Sequence, residues 1–273
     1  MKIFLYNDNS KELTTHHRPF SFNCEITKDL EKSDRILIKP SDYGRFISDE
    51  KMVEYQDSGV VYTNDDDPNY LLKENKVKKL IAQPLHTNID LLDYNATTIP
   101  LIMTDHLKIH LDEEFIEECR NQKKIYDYYF VGQFYGKRNI LKGFNEGNSL
   151  IKQTTSIYHL NEEEKIKTIK KFLLELSKAK FGFTPRGLGS NSFRLYECLM
   201  VGTIPISTDV ITYPFENDVL WDDFTIRGSL DNLNTLINKS KEIDYDSFRI
   251  NGINFWEKFV KIDKCYNHIK KII

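Results

Sequence analysis

The chain has 273 residues and a formal net charge of -3, and it is 40% hydrophobic, 12% aromatic and 29% charged. This composition is typical of a globular protein with one large or two small cores, and it excludes a disordered chain. The nearly balanced charge argues against a broad basic surface for nucleic acid, and no apolar run of about 18 residues predicts a membrane span or a signal peptide.

Four cysteines occur far apart in the chain, without a C-x-x-C pair or a zinc-finger spacing. They are Cys24, Cys119, Cys198 and Cys265. This pattern predicts free thiols in a reducing compartment, so we expect a cytoplasmic protein.

Short apolar runs alternate with charged segments of helical period in the first half of the chain. This alternation predicts βαβ units and mainly parallel sheets. The predicted elements are strands at 3–6, 36–38, 60–63, 80–82 and 100–103, and a helix at 112–121.

The second half continues the same alternation. Asn161 before three glutamates predicts a capped helix start, because its side chain can accept from the first turn. The further predictions are strands at 128–131, 180–184 and 203–207, and helices beginning near Arg138, at 192–201 and after Asp231. Two Rossmann-like domains, 1–124 and 125–273, explain these elements better than one sheet of about ten strands, and the last helix could pack back on the first domain.

The segment "FTPRGLGSNSFRLYE", residues 183–197, predicts a glycine-containing loop that leads into a helix. Gly187 lets the backbone approach a ligand closely, and Ser192 lies in the first turn of the helix. Unpaired N–H groups at a helix start favour anions, so this segment predicts an anion site.

Three charged residues accompany this predicted helix start. Arg194 and Glu197 are three residues apart and share one helix face, while Arg186 lies in the loop. Arginine is suited to phosphate oxygens and a carboxylate to a ribose diol, which together indicate a nucleoside diphosphate. On spacing alone, ordinary loop, capping and surface-pair roles explain these residues equally well.

A longer stretch carries a family resemblance. "PRGLGSNSFRLYECLMVGTIPIS", followed by "YPFENDVLWDDFTI", resembles the donor-binding half of the exostosin family, glycosyltransferase family 47. Upstream, "YYFVGQFYGKRNIL" resembles the family's strand with Gly132 and, later, Arg138. The similarity covers residues 128–224, and the first 120 residues match only faintly.

This resemblance implies a GT-B fold, in which two Rossmann-like domains form the active site in the cleft between them. It also implies inverting transfer of a sugar from a nucleoside diphosphate donor. Ser192, Arg194 and Glu197 match the family's donor-binding residues, and Arg138 and Arg186 match its other basic positions. The chain departs from the family in its short length and in lacking the N-terminal membrane anchor of animal members.

Such a reaction needs a base that deprotonates the acceptor hydroxyl. The favoured candidates are Asp65, Asp66 and Asp67, with Asp42 next, because each follows a predicted strand. Further strand-end candidates are His16, His17, His86, Asp105 and His106. Turn and capping roles remain an alternative for each of them.

Asp65 and Asp67 also resemble a D-x-D metal motif. Because the predicted donor site already contains arginines, we expect catalysis without a metal or other cofactor. The expected partners are a nucleotide sugar, UDP-linked in the favoured case, and a glycan or glycoconjugate acceptor.

Two other functions compete with a glycosyltransferase. A nicotinamide-dependent oxidoreductase is disfavoured, since no G-x-G-x-x-G follows a strand near the N-terminus. A noncatalytic sugar-nucleotide or glycan-binding protein stays open as the alternative. The residues leave the donor sugar, the acceptor and the catalytic base undetermined.

Overall fold

A computed structural model describes most of the second half of the chain and separate parts of the first half. The described residues are 2–5, 25–38, 51, 59–63, 80–82, 96–98, 100, 107–155, 157, 159–187, 191–210, 213–216 and 218–272.

A six-stranded sheet forms from the first half of the chain. Its strands are β1 (Lys2–Leu5), β2 (Glu25–Ile26), β3 (Arg35–Ile38), β4 (Gly59–Thr63), β5 (Leu80–Ala82) and β6 (Ala96–Thr98). They pair in parallel in the order β2-β1-β3-β4-β5-β6. Buried Ile3, Ile36 and Ile38 lie on β1 and β3, as expected of apolar strands in a parallel sheet.

The predicted strands near residues 3, 36, 60 and 80 are therefore confirmed, whereas β2 and β6 were not predicted. The strand predicted at 100–103 is not supported at Pro100, which belongs to no strand, and residues 101–103 lie outside the described residues. Proline lacks the backbone N–H that pairing with a neighbouring strand needs. The three-residue strand β6, just before it, forms the edge strand of the sheet instead.

A five-stranded sheet forms from the second half. Its strands are β7 (Tyr126–Gly132), β8 (Ser149–Gln153), β9 (Ala179–Pro185), β10 (Ile204–Thr208) and β11 (Ile226–Gly228). All pairs are parallel, in the order β11-β10-β9-β7-β8. The chain goes from β7 to β8 on one side and then returns to β9 on the other, so the strand order reverses between β7 and β9. Ligands of open α/β sheets collect at the carboxyl ends of strands at such a switch point.

Helices connect these strands. They are α1 (Leu107–His110), α2 (Glu113–Arg120), α3 (Glu162–Leu176), α4 (Phe193–Val201), α5 (Leu233–Glu242), α6 (Tyr245–Phe255) and α7 (Ile262–Ile272). Short 3-10 segments occur at Leu30–Lys32, Gly136–Gly143, Trp221–Asp223 and Leu230–Asn232, and Trp256–Val260 forms a π-helical turn. The helix predicted near Arg138 is thus the 3-10 segment Gly136–Gly143.

Capping residues explain the start of helix α3 and the end of helix α4. The predicted cap of α3 is confirmed as a capping box, in which Asn161 accepts from the N–H of Glu164 and the Glu164 side chain accepts from the N–H of Asn161. Helix α4 ends at Gly202, whose φ of 68° is left-handed and favours glycine. The chain can therefore turn directly from α4 into β10.

The second sheet is covered by apolar side chains on both faces. Tyr129 of β7 belongs to a core with Leu173 of α3 and Leu199 of α4. Its neighbours Tyr128 and Phe130 point to the opposite core, because successive strand residues alternate between faces. That second core includes residues of α5, so the sheet lies between helices, as the α/β prediction requires.

Two further findings concern the described residues. None of their helices is long and apolar enough to cross a membrane. Cys119, Cys198 and Cys265 are buried free thiols, and burial raises the pKa of Cys119 and Cys265 to about 12. Cys24 lies outside the described residues.

Candidate functional site

A cavity of about 520 Å³ lies at the carboxyl edge of the five-stranded sheet. Four strand ends surround it: the segments after β7, β10 and β11, and the end of β9. Its lining residues are Tyr135, Gly136, Lys137, Arg138, Pro185, Arg186, Gly187, Asp209, Val210 and Leu230. We call this the carboxyl-edge cavity, and it lies at the β7–β9 switch point.

Arg138 connects the segments that follow β7 and β9. Its Nη2 donates to the carbonyl oxygens of Pro185 (3.1 Å) and Arg186 (3.0 Å), and its Nε donates to the Arg186 carbonyl (3.3 Å). The guanidinium also lies over the Tyr135 ring, with Cζ 4.6 Å from the ring centroid. Burial lowers the pKa of Arg138, and the charge of Arg194 adds to this, yet an arginine stays protonated in proteins. A half-buried cation is thus held at the switch point.

Lys137 connects the same segment to the ends of β10 and β11. Its Nζ donates to Asp209 Oδ1 (3.0 Å) and Asp231 Oδ2 (2.5 Å) and lies 3.4 Å from Ser229 Oγ. Lys137 and Arg138 are consecutive in the 3-10 segment after β7. Together they connect this segment to the ends of β9, β10 and β11 around the cavity.

Asp209 lies at the cavity with a left-handed backbone, φ 57°. Its Oδ1 accepts from Ser229 Oγ (2.8 Å) as well as Lys137, and its Oδ2 accepts from the N–H of Leu230 (3.2 Å). Burial alone would raise the pKa of Asp209, but these hydrogen bonds outweigh it and lower the pKa overall. Asp209 is therefore a carboxylate at neutral pH.

Arg186 follows directly after β9 and lines the cavity. Its backbone is fixed, since its N–H donates to the carbonyl of Thr208 (3.1 Å) and its carbonyl accepts from Arg138. Its guanidinium makes no hydrogen bond or ion pair within the described part of the chain. Next to it, the N–H of Gly187 donates to the carbonyl of Asn191 (3.1 Å) and closes the loop.

Ser192 precedes the first residue of α4 and is buried, and its side chain makes no capping hydrogen bond. The neighbouring Asn191 accepts from the N–H of Ser192 (2.7 Å) and donates from Nδ2 to the Tyr196 hydroxyl (3.0 Å). Ser192 is not among the residues that line the carboxyl-edge cavity.

Arg194 and Glu197 share one face of α4, as their spacing predicts, but they lie mostly inside the protein. Their side chains are only 18% and 10% exposed, and Arg194 Nε lies 3.9 Å from Glu197 Oε2. The Arg194 guanidinium lies between the rings of Phe130 and Phe172, with Cζ 5.0 Å from each centroid. Its Nε is buried without a hydrogen-bond partner among the described residues.

Gly132, the last residue of β7, explains how Arg194 fits. A Cβ at this position would lie 3.0 Å from Arg194 Nη1 and 3.1 Å from Phe130 Cζ. These distances are tighter than ordinary van der Waals contact, so a glycine lets the guanidinium approach the strand end, and a larger residue would push Arg194 or Phe130 away by a few tenths of an ångström. Gly132, Arg194 and Glu197 are not lining residues of the carboxyl-edge cavity.

The structure thus brings three predicted donor-binding residues, Arg138, Arg186 and Gly187, to one cavity. Four others, Gly132, Ser192, Arg194 and Glu197, do not line it. The sequence prediction missed Lys137 and Asp209, which line the cavity. The position of Asp209 directly after a strand was the available signal, since it is the one used for the base candidates.

The predicted base candidates cannot be placed. Asp42, Asp65, Asp66 and Asp67 lie outside the described residues, as do His16, His17, His86, Asp105 and His106. Within the described ranges, no group of three or more His, Cys, Asp and Glu side chains could hold a metal ion.

Comparison with known proteins does not identify a family. No protein-family model matches the chain, and no curated protein is significantly similar to it in sequence. The resemblance to exostosins therefore stays a prediction.

Proposed function

We propose that the carboxyl-edge cavity binds the diphosphate of a nucleotide sugar and that the protein is an inverting glycosyltransferase. One observation carries the proposal: Arg138 and Arg186 lie in a cavity at the switch point of a parallel sheet. Ligand cavities commonly span about 300–1,000 Å³, so about 520 Å³ suits a ligand of nucleotide size.

The charges of the cavity support an anionic ligand. Its lining contains three basic side chains, Lys137, Arg138 and Arg186, and one carboxylate, Asp209. Lys137 forms ion pairs with both Asp209 and Asp231, whereas neither arginine pairs with a carboxylate among the described residues, so the arginine charges remain for a ligand. Guanidinium groups bind phosphate oxygens through paired hydrogen bonds, and a half-buried setting strengthens them.

In this mechanism the two arginines neutralise the charge that develops on the departing diphosphate. Arg186 provides a guanidinium that has no partner among the described residues, and Arg138 fixes its backbone while contributing charge of its own. Arg194 adds positive potential from beneath the end of β7, since its charge already acts on Arg138. We propose that these cations replace a metal and that UDP is the nucleotide.

The remaining steps belong to the first half of the chain. We propose that it faces the cavity in a GT-B arrangement and that one of Asp65, Asp66, Asp67 and Asp42 deprotonates the acceptor hydroxyl of a glycan. In the first sheet five strands are ordered β2-β1-β3-β4-β5, and the second sheet read from β8 has the same order, β8-β7-β9-β10-β11. The shared order supports two domains with the same topology.

The test is a thermal-shift series with UDP, GDP, ADP and the matching nucleotide sugars, followed by calorimetry. A ligand that binds only the native state at about 100 times its Kd adds roughly 2.7 kcal/mol to the free energy of unfolding. We expect UDP and a UDP-sugar to stabilise the protein, with EDTA leaving the shift unchanged. If no nucleoside diphosphate raises the melting temperature, the proposal is wrong.

Catalysis is tested separately from binding. Release of UDP from a UDP-sugar is measured with a panel of oligosaccharide acceptors, with and without EDTA. Acceptor-dependent release is expected for a transferase. Tight UDP binding without any release would favour the alternative, a noncatalytic sugar-nucleotide-binding protein.

A further inference from the structure

The carboxyl-edge cavity has two chemically different sides. Arg138 and Arg186 lie on the side of β7 and β9, whereas Asp209 lies on the side of β10 and β11. A bare phosphate or pyrophosphate would use only the first side. A ligand with an anionic end and a hydroxylated end would use both.

Asp209 is held in place from several directions. Lys137 and Ser229 donate to its Oδ1, and the N–H of Leu230 donates to its Oδ2. Each carboxylate oxygen has about two acceptor positions, so Oδ2 retains one position beyond its contacts with the described residues. The side chain is 17% exposed and lines the cavity, so this position is within reach of a ligand.

We propose that Asp209 accepts a hydrogen bond from a hydroxyl of the ligand and so selects sugar-bearing diphosphates over bare ones. The inference rests on the proposed function and assigns the hydroxyl-binding role to Asp209, whereas the sequence prediction assigned it to Glu197. The ordered position of the carboxylate favours this role, because a fixed acceptor loses little side-chain entropy on binding. Its depressed pKa keeps it an acceptor at neutral pH.

The hydroxyl could belong to the ribose or to the transferred sugar. Both present the same donor chemistry, and three probes separate them. Inorganic pyrophosphate has no hydroxylated carbon, UDP has the ribose, and UDP-glucose has both sugars.

The experiment measures the Kd of these probes by calorimetry for the wild type, Asp209→Asn and Asp209→Ala. Loss of a hydrogen bond to a charged group is expected to raise the Kd of the variants for UDP or UDP-glucose by about tenfold. Pyrophosphate should bind as tightly as before or more tightly, because the variants remove a negative charge and release Lys137. A loss already seen with UDP identifies the ribose, and a loss seen only with UDP-glucose identifies the transferred sugar.

Three controls separate binding from structure. Lys137→Met breaks the ion pair but leaves the carboxylate, so it should not reproduce the selective loss. Asp222→Asn removes a surface carboxylate paired with Arg227 and should change no affinity. Glu197→Gln tests the competing assignment. Melting temperatures identify any variant that fails to fold.

Two results are decisive against the inference. Equal weakening of all three probes in the Asp209 variants would show a purely structural role, and unchanged affinities would show no role. Failure of the wild type to bind UDP and UDP-glucose would instead overturn the proposed function itself, so the two failures are distinguishable.

Discussion

The five-stranded sheet has a cavity at each edge, and the two differ in charge rather than in size. The carboxyl-edge cavity measures about 520 Å³ and the cavity at the amino edge about 590 Å³. At the amino edge, Lys180 pairs with Asp127 (2.9 Å) and Lys241 pairs with Glu146 (2.7 Å). Its cations are therefore all compensated by lining carboxylates.

The carboxyl edge retains charge that is not compensated. Lys137 of its lining is paired with Asp209 and Asp231, whereas the Arg138 and Arg186 guanidiniums have no carboxylate partner within the described ranges. The amino-edge lining instead includes the buried rings of Tyr128 and Phe181, which stack at 5.5 Å. Cavity volume alone would not separate the edges, whereas the charge balance marks the carboxyl edge as the place for an anion.

The largest expected effect comes from removing a cation at the carboxyl edge, compared with removing one at the amino edge. Arg186→Ala should weaken UDP binding by roughly tenfold to a hundredfold, because hydrogen bonds to charged groups contribute about 1.5–3 kcal/mol. The matched variant Lys180→Ala removes a paired cation at the amino edge and should leave the affinity unchanged. Calorimetric titration decides, and equal losses in both variants would remove the distinction between the edges.

The next effect concerns a half-buried amine on the amino side of the sheet. Lys124 donates to the carbonyl oxygens of Ser177 (2.7 Å) and Gly202 (2.8 Å). Burial lowers its pKa to about 7, and the charge of Arg249 contributes. Since the unfolded chain binds this proton up to a pKa near 10.5, unfolding takes up a proton between about pH 7 and 10.5.

Stability should therefore rise with pH in that window through Lys124. The free energy of unfolding of the wild type minus that of Lys124→Met should increase by about 2 kcal/mol between neutral and alkaline pH, since the limiting slope is about 1.4 kcal/mol per pH unit. Urea unfolding across the range measures it. A pH-independent difference would show that the amine stays protonated, and Lys180→Met serves as the exposed control.

Two glycines sharpen the comparison further. At Gly147, with φ 57°, a Cβ would lie 2.7 Å from Asp127 Oδ2 at the amino edge. Gly147→Ala should lower the free energy of unfolding by about 1–2 kcal/mol, as expected for a left-handed position, without changing UDP affinity. Gly132→Ala should displace Arg194 and weaken UDP binding several-fold. Chemical denaturation measures the stability of both variants, and calorimetry measures their UDP affinity. Loss of UDP binding in Gly147→Ala but not in Gly132→Ala would contradict the prediction.

The smallest expected effect is that of salt. Raising the ionic strength from about 0.05 to about 0.5 M should weaken UDP binding by roughly threefold to tenfold, because exposed charges are screened within a few ångströms at high salt. Arg186→Ala should show a shallower dependence, since it has lost one of the charges. A salt-independent affinity would indicate a ligand held by contacts other than the arginines.

Much of the local structure was predictable from residue patterns. Apolar runs located β1, β3, β4 and β5 and three of the five strands of the second sheet, and the Asn161 cap located the start of α3. The missed strands lacked such a signal. β2 and β11 have only two and three residues, and the SLIKQ sequence of β8 mixes polar and apolar positions.

The site was predictable only where its signals were local. Arg138, Arg186 and Gly187 follow strands in glycine-containing turns, and each lines the cavity. Arg194 and Glu197 share a helix face as predicted, but packing between Phe130 and Phe172 places the Arg194 guanidinium outside the cavity lining. Lys137 and Asp209 were missed because they are 72 residues apart, and their pairing depends on β7 and β10 lying in one sheet.

Residue patterns predicted most of the strands and helices and the α/β class, because apolar periodicity and capping act over a few neighbouring residues. The strand order β11-β10-β9-β7-β8, and with it the set of strand ends that meet, is known from the three-dimensional packing alone. That order determines which cations find carboxylate partners among the described residues and which do not. Strand neighbours depend on packing between distant parts of the chain, and no local pattern specifies them.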